Sequence, residues 1–161
     1  MKTLIDEYSE QVARSQGIIL DSNVALLYVI GLISPNLISK HDRTSGFRPN
    51  GFWTLDGIIQ RAKALFTIPH TLTEVSNLGG RSEWIREVFR ATFRPIEELS
   101  LKSIQGFDSE FFSAMGLTDA MLFEIANLNY LVVAIDHTLY SCITARGKPC
   151  INFTYLQERV G

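Results

Sequence analysis

Two short apolar runs that each end in an aspartate limit most strongly how this chain can fold. GIIL at residues 17–20 leads into Asp21, and LVVAI at residues 131–135 leads into Asp136. Runs of this length and composition are typical of strands covered on both faces, and each is followed by a segment with helical apolar spacing. Because parallel strands are joined by helical crossovers, this alternation predicts an α/β fold.

Further segments continue the alternation along the chain. Short strands are predicted at TIP (residues 67–69) and CINF (residues 150–153), while residues 96–104 fit neither pattern clearly. Helices are predicted over residues 2–15, 22–33, 55–66, 70–80, 82–93, 107–115, 117–128 and 137–147. With helices able to cover both faces of the strands, the expected architecture is a three-layer α/β/α sandwich around a central, mainly parallel sheet.

A long loop is predicted over residues 40–53, where Gly, Pro, Asn and other polar residues interrupt the helical pattern. A loop of this length is uncommon in a compact domain unless it is functional or mobile. Thr54 can cap the helix that follows this loop, and Ser22 or Asn23 can cap the helix that follows the first strand-end aspartate.

Composition bounds the class of protein. The 161 residues, 46% of them hydrophobic, are enough for one domain with a full core over residues 1–161. No apolar run is long enough to span a membrane, and the mixed-charge N-terminus lacks the apolar core of a signal peptide, so a cytoplasmic location is expected. The spacing of Cys142 and Cys150 matches no common zinc pattern, which favours buried free thiols.

The net charge of −2 argues mildly against a generic nucleic-acid binder, although bound divalent cations would bring the total near neutral.

Four acidic side chains, those of Asp21, Glu74, Asp119 and Asp136, stand in or beside apolar segments. Each has a simpler explanation alone: Asp119 can cap a helix, Glu74 can be an exposed helix residue, and the strand-end aspartates can be caps or turn residues. In an open parallel sheet, however, ligands collect at the carboxyl ends of the strands. If the four carboxylates converge there, their repulsion demands a cation, and oxygen ligands suit a hard divalent ion. Chemistry on phosphates is then the first hypothesis to test.

The contexts of the four acids resemble those of the PIN-domain nucleases, particularly the VapC-type ribonuclease toxins of bacterial toxin–antitoxin pairs. The matching pieces are ILDSNVALLY, LTEVSNL, GLTDAMLFEIA and VVAIDHTLYSCITARGKPCINF, and they extend over about residues 17–154. The order and spacing of all four acids agree with the family pattern. The chain departs from it at Ala134, where a Thr or Ser is common, unless Thr138 or Ser141 substitutes. The N-terminal helix and the long loop are extra relative to compact members.

The resemblance implies that the four acids bind Mg²⁺ or Mn²⁺, with Asp21 and Asp119 as direct ligands and the other two acids completing the site, directly or through water. The resemblance also implies that Ser22 and Asn23 contact these ligands and orient them without binding the ion. By the same resemblance, metal-activated water hydrolyses single-stranded or structured RNA and leaves 5′-phosphate and 3′-hydroxyl ends. The implied partners are a small antitoxin protein and a second copy of the chain, with no membrane.

Basic residues provide two candidate RNA contacts. Lys40, Arg43 and Arg48 alternate with aromatic side chains in the predicted loop, a combination that suits single-stranded RNA because bases stack on rings. Arg86 and Arg90 share one face of a predicted helix and could contact an RNA backbone. The alternatives are a solvated helix face whose arginines pair with nearby glutamates, and aromatic side chains that only anchor the loop to the core.

Other functions stay open on the sequence alone. Aspartate-nucleophile phosphatases also begin from a strand that ends in Asp, but they need a second Asp where this chain has Asn23. Phospho-acceptor receiver domains need a Lys after a late strand, and Lys148 stands in a different context, before Pro149. A PIN-fold RNA-binding module, or a solitary nuclease without an antitoxin, is the closer alternative.

Overall fold

The computed structural model describes residues 4–160 and contains a five-stranded sheet in which every pairing is parallel. The strands are β1 (Ile18–Leu20), β2 (Leu65–Thr67), β3 (Glu97–Glu98), β4 (Leu131–Ala134) and β5 (Cys150–Asn152). Their order across the sheet is β3-β2-β1-β4-β5, so the two strands that lead into aspartates are direct neighbours. The predicted α/β class and parallel sheet are confirmed.

Helices connect successive strands of this sheet. The α-helices are α1 (Leu4–Arg14), α2 (Ser22–Ile33), α3 (Gly51–Arg61), α4 (Pro69–Leu78), α5 (Glu83–Phe93), α6 (Ser103–Phe107), α7 (Phe112–Ala126), α8 (His137–Ala145) and α9 (Phe153–Val160), and a 3-10 helix covers Pro35–Lys40. The helix predicted over residues 22–33 matches α2, and the one predicted over residues 2–15 matches α1, although residues 2 and 3 lie outside the described residues. Over residues 4–160, no helix combines the length and apolarity needed to cross a membrane.

The helices cover both faces of the sheet because the side chains along each strand alternate between two apolar layers. Ile18 and Leu20 of β1 belong to a core formed with α1, α2, α3, α5 and α9. Ile19, between them, belongs to a second core formed with α7 and α8, which also contains the free and buried thiol of Cys150. The three-layer α/β/α sandwich is therefore confirmed, with β1 in its middle layer.

The prediction of a loop over residues 40–53 is wrong at the C-terminal end of that range. Helix α3 begins at Gly51, inside the predicted loop, so that Thr54 lies within the helix and does not cap it. The physical reason is Phe52, whose buried ring stacks on Tyr28 of α2 with the ring centroids 5.8 Å apart. Burial of this large apolar ring stabilises the segment as a packed helix.

Aspartates cap the two helices that follow the central strands. Asp21 occupies the N-cap of α2 and Asp136 that of α8, and each side chain accepts a hydrogen bond from a backbone N–H in the first turn. The prediction that Ser22 or Asn23 caps α2 is wrong, because the extended backbone of Asp21 makes it the last residue before the helix. The same two aspartates thus end a strand and begin a helix.

Other differences from the predicted elements concern where the elements begin and end. The helix predicted over residues 55–66 ends at Arg61, and the helix predicted over residues 107–115 is not helical at residues 108–111. Strand β2 begins two residues before the predicted TIP segment, and the unassigned stretch at residues 96–104 contains β3. The predicted CINF strand ends at Asn152, and Phe153 begins α9. Because α9 follows β5 without a loop, the apolar run CINF includes the first residue of this helix, and the run alone does not show where the strand ends.

Helix α7 is broken at Gly116, where the sequence predicts a boundary between two helices. Gly116 has φ 80° and ψ 179°, a conformation that is essentially restricted to glycine. The break lies two residues before Thr118 and three before Asp119, and all three residues line the same pocket. The turn at Gly116 therefore sets where Asp119 stands.

Substitution of Gly116 tests this role. We expect Gly116→Ala to lower the free energy of unfolding by about 1–3 kcal/mol, because alanine must adopt a backbone conformation that only glycine tolerates. The space around an added Cβ is open, so strain and not a clash is the cause. Gly46→Ala is the matched control, since Gly46 also has open space but no positive φ. Urea unfolding of both variants measures the difference, and equal stabilities would contradict the restriction at Gly116.

Candidate functional site

The four acidic side chains singled out in the sequence line one pocket at the carboxyl edge of the sheet. Asp21 follows β1 and Asp136 follows β4, and these two strands are paired. Glu74 reaches the pocket from α4 and Asp119 reaches it from α7. The described residues around this pocket include neither lysine nor arginine. Four parts of the chain thus bring carboxylates together without a lysine or arginine to balance them.

Asp21 is the most buried of the four, with 4% of its surface exposed, and it joins two strand ends. Its Oδ1 accepts a hydrogen bond from the Val24 N–H at 2.7 Å, and its Oδ2 accepts one from the Ile135 N–H at 2.8 Å. Burial raises the pKa of Asp21 to about 6, and the charge of Asp136 adds to the rise while the backbone hydrogen bonds oppose it. The backbone hydrogen bonds thus hold the carboxylate in place, although its burial and the charge of Asp136 disfavour the ionised form.

Glu74 is held by two hydroxyl groups from other elements. Its Oε2 accepts a hydrogen bond from the Ser22 hydroxyl at 2.6 Å, and its Oε1 accepts one from the Thr118 hydroxyl. Glu74 therefore links the start of α2 to the stretch of α7 that follows the break. Asn23, the second residue expected to orient the acids, also lines the pocket, and its backbone N–H bonds to Asp21.

Asp119 is half-buried and surrounded by like charges. Burial is the first cause that raises its pKa, and the charges of Asp21, Asp136 and Glu74 follow, so that the pKa reaches about 7. Asp136 is more exposed, and its Oδ1 accepts the Leu139 N–H at 2.8 Å as the cap of α8. At neutral pH the pocket carries excess negative charge that a cation would offset.

The donor set suits a hard divalent cation in its chemistry, since carboxylate oxygens are the ligands that Mg²⁺ and Mn²⁺ favour. Among residues 4–160, however, no group of three or more His, Cys, Asp or Glu side chains is arranged to hold an ion. The hydrogen bonds show how two of the acids are oriented: Glu74 is turned toward Ser22 and Thr118, and Asp21 toward backbone N–H groups. These hydrogen bonds leave lone pairs free on each carboxylate, so ion binding requires the side chains to reorient around the ion.

The five basic residues proposed as RNA contacts are not among the residues that line the acid pocket. Lys40 instead lines an apolar cleft on α2 and α5, and Arg43 is exposed. The backbone N–H of Arg48 donates to Gln157. Arg90 forms an exposed ion pair with Glu87, the helix-face pairing weighed above as the alternative. Contact of these residues and of Arg86 with RNA stays a prediction.

Several groups at the site have no clear signal in the sequence. Thr118 is one of these groups, since its hydroxyl donates a hydrogen bond to Glu74. The Ile135 N–H donates to Asp21, an interaction that depends on the pairing of β1 with β4. Ala134 is buried in the core, and the Ser141 hydroxyl, a suggested substitute for the missing Thr or Ser, contacts His137 instead of an acid.

Comparisons with protein-family models, with curated proteins and with solved structures find no match to this chain.

Stability should depend on pH through Asp21 and Asp119. Both carboxyls have a higher pKa in the folded chain than the ordinary value of 3.8, so the folded chain binds more protons than the unfolded one. Their contribution is fully present below about pH 4 and is lost as the pH rises through about 6 and about 7. We expect a smaller free energy of unfolding at about pH 8 than at about pH 5, measured by urea unfolding with a chelator present.

The variant Asp119→Asn tests whether the pocket causes this pH dependence of stability. The amide cannot ionise, so the variant should be more stable than the wild type at about pH 8 and should lose less stability between pH 5 and 8. Asp42→Asn is the matched control at an exposed position outside the pocket, and it should follow the wild type. A pH dependence that Asp119→Asn leaves unchanged would argue against charge crowding in this pocket.

Proposed function

We propose that this protein is a metal-dependent endoribonuclease that acts in the cytoplasm on single-stranded or structured RNA. The observation that carries the proposal is the meeting of four carboxylates in one pocket whose described lining lacks lysine and arginine. The pKa of Asp119, raised to about 7 by burial and by three neighbouring carboxylates, indicates a position that a divalent cation would stabilise. The resemblance of the surrounding segments to PIN-domain nucleases supports the same function.

The residues have distinct roles in this proposal. Asp21 and Asp119 ligate Mg²⁺ or Mn²⁺ directly, Asp21 from a rigid buried position and Asp119 from the turn after the break in α7. Glu74 and Asp136 complete the site, directly or through water. When bound, the ion supplies positive charge that makes water a better nucleophile and offsets charge on the leaving 3′-oxygen. Ser22 orients Glu74 through its 2.6 Å hydrogen bond.

The proposal extends to control by a small antitoxin protein, as in the toxins that the sequence resembles. Support for a protein partner comes from an apolar cleft between α2, the 3-10 helix and α5, lined in part by Leu37, Trp84 and Ile85. Trp84 is 77% exposed, and exposed apolar surface of this kind is typical of protein–protein contacts. A second copy of the chain is the other partner that this cleft suits.

RNA cleavage should require a divalent cation. We expect the purified protein to cut single-stranded RNA with Mg²⁺ or Mn²⁺, to stop when a chelator is added, and to leave 5′-phosphate ends. Asp21→Asn should lower the rate more than about 100-fold, because a direct ligand matters at least as much as the residues that support it. Asp42→Asn should retain the wild-type rate. Cleavage of end-labelled RNA without metal, or at an unchanged rate in Asp21→Asn, would overturn the metal-dependent nuclease function.

The toxin role has a separate test. We expect a small gene beside the one for this chain to encode a protein that, when co-expressed, forms a stable complex with it and suppresses RNA cleavage. Trp84→Glu should weaken that complex while leaving cleavage by the free protein intact, because Trp84 lies outside the acid pocket. If no adjacent gene product inhibits the enzyme, the protein is a solitary nuclease.

A further inference from the structure

Helix α9 brings a tyrosine to the rim of the acid pocket. Tyr155 Oη lies 2.9 Å from Nδ1 of His137, the residue that follows Asp136 and itself lines the pocket. Ser141 Oγ lies 3.3 Å from Nε2 of the same imidazole ring. Both ring nitrogens of His137 therefore have hydrogen-bond partners within the protein, and the orientation of the ring is fixed from two sides.

Three rings form a cluster at this rim, and we call His137, Tyr140 and Tyr155 the aromatic rim. The ring centroids are 6.2 Å apart for His137 and Tyr155, 6.0 Å apart for the two tyrosines, and 6.4 Å apart for His137 and Tyr140. The two tyrosine rings are nearly perpendicular, which is a favourable packing for aromatic side chains. Tyr155 is 40% exposed, and His137, which lines the acid pocket, is also exposed, so these two rings present surface to solvent next to the acids.

We propose that the aromatic rim is a nucleobase-stacking subsite, which binds an unpaired base of an RNA strand whose phosphate lies over the carboxylates. This inference rests on the proposed nuclease function and names its substrate class as single-stranded RNA. Unpaired bases stack readily on tyrosine and histidine rings, whereas bases in a duplex are already stacked and paired. The rim therefore favours single strands over duplex RNA without reading a particular sequence.

The surroundings of Tyr155 favour a role as a surface for base stacking over a purely structural role. Its backbone N–H donates to the Oδ1 of Asn152 at 3.2 Å, and Asn152 is buried at the end of β5. This hydrogen bond holds the backbone of Tyr155, and the contact of its Oη with His137 holds the ring. The ring is thus positioned before any ligand binds, which lowers the entropic cost of stacking. Because Nδ1 and Nε2 of His137 are both hydrogen-bonded, this ring serves better as a surface than as a metal ligand.

Fluorescence of a base analogue tests the subsite directly. The probe is a single-stranded oligoribonucleotide with one 2-aminopurine, whose fluorescence falls when the base stacks on an aromatic ring. The probe is titrated with protein in the presence of Ca²⁺, so that binding is measured with a different cation from the Mg²⁺ used for cleavage. Ca²⁺ also binds oxygen ligands, but in a looser geometry than Mg²⁺. We expect Tyr155→Ala to lose the quenching and to weaken binding about tenfold, while Tyr155→Phe keeps both because the ring remains. A duplex of the same length should compete poorly with the probe.

Tyr130→Ala is the matched control, because Tyr130 precedes β4 at the opposite edge of the sheet and is outside the acid pocket. It should bind and quench the probe like the wild type, and thermal unfolding verifies that each variant is folded. Wild-type binding by Tyr155→Ala, or an equal loss in Tyr155→Phe, would overturn the inference. Equal losses would assign the effect to the hydrogen bond with His137 and not to the ring.

Cleavage with Mg²⁺, measured on the same variants, separates the two proposals. If the wild type cuts RNA and Tyr155→Ala has an unchanged KM, the stacking subsite is refuted and the nuclease function stands. If the wild type fails to cut RNA but quenches the probe in a manner that depends on Tyr155, the nuclease function is refuted and the subsite stands. Absence of quenching in the wild type refutes the subsite whatever the cleavage result.

Discussion

The crowding of four carboxylates in one pocket is the constraint on which the rest of the site depends. Burial would raise the pKa of Asp119 alone, but the charges of Asp21, Asp136 and Glu74 all act in the same direction, and the described lining holds no lysine or arginine to oppose them. A folded protein can relieve such repulsion by binding protons or by binding a cation. Bound protons are lost as the pH rises, so a protein that depends on them becomes less stable. A bound cation instead provides the positive charge that phosphodiester chemistry needs.

The fold produces this crowding from elements that are far apart in sequence. Strands β1 and β4 are neighbours in the sheet, so the aspartates after them emerge side by side, and the buried carboxylate of Asp21 bonds across to the Ile135 N–H. Glu74 on α4 and the turn at Gly116 in α7 complete the lining of the pocket. Hydrogen bonds from Ser22, Thr118 and backbone N–H groups hold the carboxylates of Glu74 and Asp21.

Patterns over short stretches of sequence predicted much of the fold, and contacts between distant residues account for what they missed. The apolar runs before Asp21 and Asp136 predicted β1, β4 and the helices after them, because strand burial and helix capping depend on adjacent residues. The start of α3 was missed because it depends on Phe52 packing against α2. In the site, the acids could be named from their local contexts, whereas the Thr118 hydrogen bond and the approach of Tyr155 depend on tertiary structure.

The most direct measurement of the central claim is a crystal structure of the protein soaked with Mn²⁺, with data collected at the manganese absorption edge. We expect an anomalous-difference peak in the acid pocket within direct-coordination distance of Asp21 and Asp119. Glu74 should then have given up at least one of its hydrogen bonds to Ser22 and Thr118. A pocket without a peak, in which the four carboxylates keep their protein hydrogen bonds at saturating Mn²⁺, would contradict the metal site and the function built on it.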